Sequence, residues 1–544
     1  MLSNKNLKKL LIDLNLNIYV ILLCLISIGL SIVESKVNLD AHHWGLMYSN
    51  ASDLNKGLIP YKEIFIQYGL LTTLIQGIAL KILGDTVVSV GIITGIFYAI
   101  SIYLSYCLWK KVLGKDLASL SALIMFLIHP YIIYPWSDYF FGTFLLLSLL
   151  MLVNSKEKKI NYFLAGVFWA CSILSRHTTF LSTFVPLNLY FFIRYYKSNN
   201  NFKLKNIIFF YLGAICIGLI FIFYLLKNSA LQAWIQNFKI ISYYLTYFGF
   251  VGKRNKYLSL LLQLLKLIGH IITANTWLKQ DIRSILYTLV FFSNLIIAGI
   301  IFIKSFRHKL SRTEQLFLLL SLITLFGYLN AIHIYDIFRL QNSSSLGIGI
   351  LLYTYYRIQN LYKQRRVIFH IFIFALIIYL SLTALFTQTT SLYNPWNRNL
   401  LFSSQLKEPE NIDILKGKLY DPNIRNYYET IAKTLNDYSD KLEYLINFTP
   451  NSFIPYLSKH YKRAHILPFY SKELSKIIYP DEEKKIAQLL KESKAILVTR
   501  NYEEIPKNYR IVKKLTEPYS LKLLYIAVPV ELAKIDITNK NKEF

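Results

Sequence analysis

One aspartate, Asp40, opens the stretch "DAHHWGLMYSNASDLNKGLIPYKEIFIQYG", which lies between two apolar runs. A carboxylate held in its charged form at such a boundary can serve as general base toward a hydroxyl or amine. The same residue is placed to cap a helix that would end at Gly57, with Pro60 beyond. The two roles are compatible, because a carboxylate at a helix start is stabilised there as an anion. His43 and Trp44 follow three and four residues later and share a helical face with Asp40, whereas His42 points elsewhere. A second carboxylate, Asp138, sits in "YPWSDYF" after Pro130 and Pro135, either as a turn and capping residue or as a second acid facing the same cavity. Three basic groups complete the set. Arg176 and His177 lie in "SRHTT", and Arg339 lies in "HIYDIFRLQN" three residues after Asp336. Each arginine reads either as a snorkelling or ion-paired side chain or as a phosphate contact, since the guanidinium fork matches phosphate geometry. Tyr61 and Tyr68, on either side of the "YKEIFIQY" segment, fix a turn at headgroup level or line a sugar site with their ring faces.

These residues need a scaffold, and composition says which. The chain has 544 residues, 54% hydrophobic and 16% aromatic, with a mean hydropathy of +0.38. Apolar runs of membrane length recur without strand-like alternation, so the fold class is a polytopic α-helical membrane protein. The net charge of +29 resides in short loops between apolar runs. That is the positive-inside pattern rather than a face for tracking phosphates, and it excludes nucleic acid as partner. Cys24, Cys107, Cys171 and Cys216 all fall inside apolar runs with no spaced partner, which supports neither a disulfide framework nor a zinc site.

Alternating the basic loops between sides predicts about 11 transmembrane helices, with the N-terminus inside and the C-terminus outside. The spans fall near 17–34, 86–109, 117–133, 139–153, two within 161–193, 207–226, 284–303, 316–331, 344–356 and 368–386. Residues 35–85 then form the first external loop. The run 70–84, too short to cross within that loop, is expected to lie along the interface. External loops carry few basic residues, so the lone Arg176 and Arg339 call for a reason. Residues 1–386 make the membrane domain and 387–544 an external domain in which strands and helices alternate: a soluble α/β domain with a closing hairpin over "RIVKKLTEPYSLKLLYIAVP". Within it, "NSFIPYLSKHY" reads as helical and "RAHILPFY" as a strand. No glycine-rich phosphate loop is present.

The order of span, "D-A-H-H-W … G-L-I-P-Y-K-E-I-F-I-Q-Y-G" loop and interfacial helix resembles the GT-C superfamily of integral-membrane glycosyltransferases. Within it the pattern is similar to the branch of protein O-mannosyltransferases and the lipid A aminoarabinose transferase. "PWSDY" and "SRHT" fall where that family has its further external loops. The resemblance implies inverting transfer of a sugar from a polyprenyl-phosphate donor to a lipid, glycan or protein acceptor on the external face of a bacterial inner membrane. It makes Asp40 the catalytic carboxylate, Asp138 its partner acid, Arg176, His177 and Arg339 the donor-phosphate ligands, and His43, Tyr61 and Tyr68 substrate contacts. Many relatives carry Asp-Glu where this chain has Asp40-Ala41, which is why the second acid is sought at Asp138. No strict Asp-x-Asp pattern occurs in the first loop, against the metal-dependent oligosaccharyltransferase branch. No cofactor is called for, no metal ligand set is assigned, and use of a divalent metal stays open. Two other classes remain: a flippase for lipid-linked oligosaccharides, which needs charges buried deep in spans and broken helices, and an O-antigen polymerase-like protein, for which the external segment 227–283 speaks.

Overall fold

The computed structural model describes residues 4–37, 40–128, 135–155, 158–197, 202–239, 256–274, 283–332, 335, 337–361, 366–386, 405–469, 475–476, 478–518 and 520–533. Helices lie over all of the expected spans. They are α1 (Asn4–Val37), α4 (Val87–Leu113), α5 (Lys115–Leu127), α6 (Ser137–Val153), α7 (Lys159–Ser175), α8 (Thr179–Lys197) and α9 (Leu204–Lys227), then Arg283–Arg307, Arg312–Gly327, Gly347–Leu361 and Arg366–Phe386. Five stretches among the described residues are long and apolar enough to cross a bilayer by themselves: Asn15–Val37, Val87–Leu113, Leu204–Lys227, Arg283–Arg307 and Arg312–Ala331. The chain is an integral membrane protein with a C-terminal sheet domain. Pro130 and Asp336 lie outside the described residues.

Between α1 and α4 the chain forms two shorter helices. Helix α2 (Ala41–Asn55) starts at the Asp40 cap and ends as expected, with Gly57 in the left-handed region at φ 89°. Helix α3 (Leu70–Leu83) covers the run expected to lie along the interface. Its Leu74, Ile78 and Ile82, four residues apart, are exposed apolar side chains on one face. The opposite face is polar and buried. Thr72 Oγ1 donates to the Ser175 carbonyl at 3.0 Å and Gln76 Nε2 to the Pro135 carbonyl at 2.8 Å. Just before the helix, the Tyr68 carbonyl accepts from the His177 amide at 3.1 Å. Helix α3 thus ties the loops that carry Trp136 and Arg176 to the segment between α1 and α4. The i, i+4, i+8 spacing of both faces is what the 3.6-residue period allows.

The tail forms one five-stranded sheet in the order β2-β1-β3-β5-β4. Its strands are β1 (Tyr444–Phe448), β2 (Lys462–Arg463), β3 (Ala495–Thr499), β4 (Tyr509–Thr516) and β5 (Leu523–Pro529). Strand β1 is parallel to β2 and β3, and the closing hairpin β4–β5 is antiparallel as expected. Two readings need correction. The segment taken as helical after β1 holds only a single 3-10 turn, Ile454–Tyr456, because Pro455 removes an amide donor and Asn447, Thr449 and Asn451 bond the local backbone in its place. The expected strand at "RAHILPFY" is instead irregular past Arg463, where Pro468 cannot supply a ladder amide.

The two parts share a core. Trp44, Met47, Tyr48 and Ala51 of α2 pack in one apolar cluster with Ile412, Leu415, Tyr428, Phe453, Ile496 and Val498 of the tail. Gly45 permits the approach: a Cβ there would stand 2.6 Å from Ser452 Cβ and 2.8 Å from its carbonyl carbon. At the far end of α2, Arg463 Nη1 lies 2.9 Å from Asp53, and Tyr456 Oη donates to the same carboxylate at 2.8 Å. The carboxylate is almost fully buried, and its other cation, exposed Lys56, is 3.9 Å away. Replacing Arg463 by Met therefore leaves a buried charge poorly matched and is expected to weaken tail docking by about 3–5 kcal/mol. Denaturant-dependent proteolysis of the tail measures this. The Asp53→Asn, Arg463→Met double variant is expected to regain part of the loss.

Candidate active site

Asp40 holds φ −74°, ψ 95°, outside the helix, and turns its carboxylate back over the first turn. Oδ1 accepts from the amides of His42 at 3.1 Å and His43 at 3.4 Å. Oδ2 accepts from His43 Nδ1 at 2.6 Å. Burial pushes the Asp40 carboxyl up, but the charge and hydrogen bond of His43, then His42 and its amide, outweigh it, and the group ionises below its usual range. His42 points the other way, as expected from its place on the helix. Its Nδ1 pairs with the Pro450 carbonyl at 3.0 Å and its ring packs on Phe469.

The second cluster is built from the starts and ends of four elements. Arg176, at the C-terminal end of α7, pairs with Asp138 in the first turn of α6, and both are buried. The Arg176 guanidinium also donates to Thr178 Oγ1 at 3.0 Å and lies 5.2 Å from the Tyr68 ring. Arg339, on the helix Ile337–Ser344, stacks 4.8 Å over the indole of Trp136. Asp138 lies within the field of both guanidinium groups. Asp138 therefore does not stand beside Asp40 as a second exposed acid. Its place in the tertiary structure is against Arg176, where it holds the guanidinium in position. His177 reaches Tyr61 Oη at 3.3 Å, with the two rings stacked. Burial and then neighbouring Arg176 push its pKa down to about 4, which makes it a neutral donor rather than a cation.

Trp136 joins the two clusters. Its ring meets His43 at 5.0 Å, Tyr68 at 5.4 Å and the Arg339 guanidinium at 4.8 Å. Asp40, through His43, and Arg176, through Tyr68, are one neighbour removed from this indole, whereas Asp138 lies behind Arg176 and Tyr61 behind His177. The sequence pointed to the loop that holds Trp136 but not to Trp136 itself, since an aromatic beside a span reads first as a membrane-interface anchor.

Two further groups were missed. Lys418, from the tail, is fully buried with Nζ 4.5 Å over the Trp44 ring. Burial lowers its pKa to about 7, against the attraction of Asp40 and Glu34. It is delivered there by Leu419, whose amide donates at 2.8 Å to the Lys36 carbonyl at the end of α1. In sequence it is one lysine in a lysine-rich tail, and nothing distinguishes it from a surface residue. Arg283 starts its helix buried and acts electrostatically on Tyr98 and Tyr139. In sequence it closes a segment, 227–283, that holds several other basic residues, so nothing singled it out. Among the described residues no group of three or more His, Cys, Asp or Glu side chains is arranged to hold a metal ion. The sequons at Asn50 and Asn447 carry no accessible amide. Asn50 Nδ2 donates to the Phe65 carbonyl at 2.8 Å and Asn447 Nδ2 to the Asn451 carbonyl at 2.9 Å, both buried; the Asn342 side chain lies outside the described residues.

No family model and no curated protein sequence matches the chain. Solved structures do. The oligosaccharyltransferase of Archaeoglobus fulgidus in its apo form has 11% identity and a TM-score of 0.49, covering 88% of this chain and 69% of that one. ArnT from Cupriavidus metallidurans bound to undecaprenyl phosphate has 10% identity and a TM-score of 0.48, covering 94% and 98%. The structures it resembles are GT-C membrane glycosyltransferases. With TM-scores below one half the likeness is one of outline, and function is argued below from this chain's own residues.

The buried histidines give the fold an acid limit. His42 and His177 titrate at about 4, and His465, also buried, at about 3, against 6.5 for an unhindered imidazole. In each case burial is the main cause. Between pH 6.5 and 4 the unfolded chain binds protons that the native one refuses, so stability falls as pH drops through that window. The thermal midpoint in detergent is expected to decline from pH 7 to pH 5, and His42→Gln to flatten the decline.

Proposed function

We propose that the protein is an inverting glycosyltransferase that uses a polyprenyl-phosphate-linked sugar. The observation that carries this reading is the meeting of the hydrogen-bonded Asp40–His43 pair and the Arg339 guanidinium on one indole, Trp136. The first can remove a proton from an incoming nucleophile, and the second can meet the charge on a departing phosphate. Those are the two demands of transfer from a sugar phosphate. Arg176, oriented by Asp138, adds a second guanidinium to the phosphate side, and His177 adds a neutral donor. Tyr68 lies between Trp136 and Arg176, and Tyr61 backs His177. The first external loop 35–85 supplies the reacting groups, the membrane domain 1–386 the lipid-side scaffold, and the tail 387–544 a cover over α2.

The donor's lipid chain would lie along the bundle, and the exposed apolar face of α3 would rest in the same leaflet. We place the site on the periplasmic face of a bacterial inner membrane, with a lipid, glycan or protein acceptor entering from outside. About 11 helices crossing, N-terminus in and tail out, accord with the helices over the expected spans and with the basic loops. What favours a transferase over a flippase is where the charges sit. Asp138, Arg176, Arg283 and Arg339 are at helix ends, and Glu34 is near the end of α1, rather than midway along the spans.

With a panel of polyprenyl-phosphate hexoses in vesicles, the wild-type protein is expected to release polyprenyl phosphate in the presence of acceptor. Arg339→Gln should lower that rate by about 10²–10³-fold and weaken polyprenyl phosphate binding. Absence of release from every donor by the wild type would overturn the reading.

A further inference from the structure

Asp40 is fully engaged. Oδ1 takes two backbone amides and Oδ2 takes the His43 ring, leaving its side chain 5% exposed. The His43 side chain is 23% exposed and faces Trp136. An ionised carboxylate only accepts hydrogen bonds, so the proton on the 2.6 Å contact belongs to His43 Nδ1. When the ring is neutral, its lone pair is then on Nε2, at the far side from the carboxylate. This is the arrangement of an orienting acid and a histidine base.

Resting on the glycosyltransferase reading, we propose that His43 Nε2 takes the acceptor's proton and that Asp40 is the residue that positions and charges the ring. The acceptor oxygen forms a bond to the donor's anomeric carbon while its proton passes to Nε2. The bond from that carbon to the phosphate oxygen breaks, and its electron pair leaves with the phosphate toward Arg339. The imidazolium that results is held by Asp40 until solvent takes the proton. The charged or titratable groups around the ring are Asp40 and His42 on α2, Arg339 behind Trp136, and Lys418 with Glu34 on the tail side of Asp40.

Two variants of the full chain separate the roles. His43→Gln keeps polarity and volume without a base, and Asp40→Asn keeps a residue that caps helices well. Transfer from the polyprenyl-phosphate hexose that is active with wild type is followed against pH. His43→Gln is expected to lower kcat by about 10²–10⁴-fold, leave the donor KM unchanged and erase the acid limb of the profile. Asp40→Asn is expected to retain that limb with a lower kcat, because the base is present but no longer oriented. If instead His43→Gln stays within a few-fold of wild type while Asp40→Asn is dead at every pH, Asp40 is the base and the proposal falls. A readout independent of turnover comes from ¹⁵N-histidine NMR, with the His43 signals assigned by their loss in His43→Gln. The neutral ring is expected to carry its proton on Nδ1, and a neutral ring protonated on Nε2 instead overturns the proposal even if transfer is observed. A wild type that shows the expected tautomer but releases no lipid phosphate overturns the glycosyltransferase reading, and the base role with it.

Discussion

Helix α2 is held from both sides, and the groups at its start take their position from that clamp. On one side, Gly91 of α4 lets the Trp44 ring approach to where a Cβ would stand only 2.6 Å from it. On the other, Gly45 admits the backbone of Ser452 and Phe453. Every residue from Trp44 to Asp53 is buried. A short helix at a membrane surface would otherwise be marginal, since fifteen residues supply few internal hydrogen bonds against the cost of nucleation. Packing against two domains removes that uncertainty, and the Asp40 cap then has a fixed direction.

The tail is therefore more than an appendage. Its core contains α2, its Lys418 reaches the field of Asp40, and its Pro450 carbonyl holds His42 away from the site. At the opposite end, Arg463 and Tyr456 close on Asp53. The division of the chain near residue 386 follows composition, yet the hydrophobic core ignores it. Burial of this kind places charges where they are costly, and each is answered locally: Asp53 by Arg463, Asp138 by Arg176, Asp40 by His43.

Helix α3 performs the complementary task on the membrane side. One of its faces presents Leu74, Ile78 and Ile82 outward, and the other uses Thr72 and Gln76 to fasten the α7–α8 and α5–α6 connections. A segment too short to span a bilayer thus fixes the relative height of Trp136 and Arg176. The phosphate-side groups and the proton-side groups are brought to one indole by two different helices of the same loop.

The sequence by itself determined the helical membrane class, the place of nearly every helix, the α2 cap and the tail's sheet hairpin, because hydrophobic period, span length and capping chemistry are local properties. It also isolated Asp40, Asp138, Arg176 and Arg339, since charges beside apolar runs are conspicuous. Where local signals conflicted with proline and side-chain-to-backbone bonding, as at Pro455 and Pro468, the reading failed. Only the tertiary structure decided that Asp138 belongs to Arg176, that Lys418 is buried, that Trp136 is the meeting point and that the Asp40 carboxylate is spent on His43. Those are contacts between residues tens to hundreds of positions apart, or choices among hydrogen-bond partners, and no local spacing encodes either.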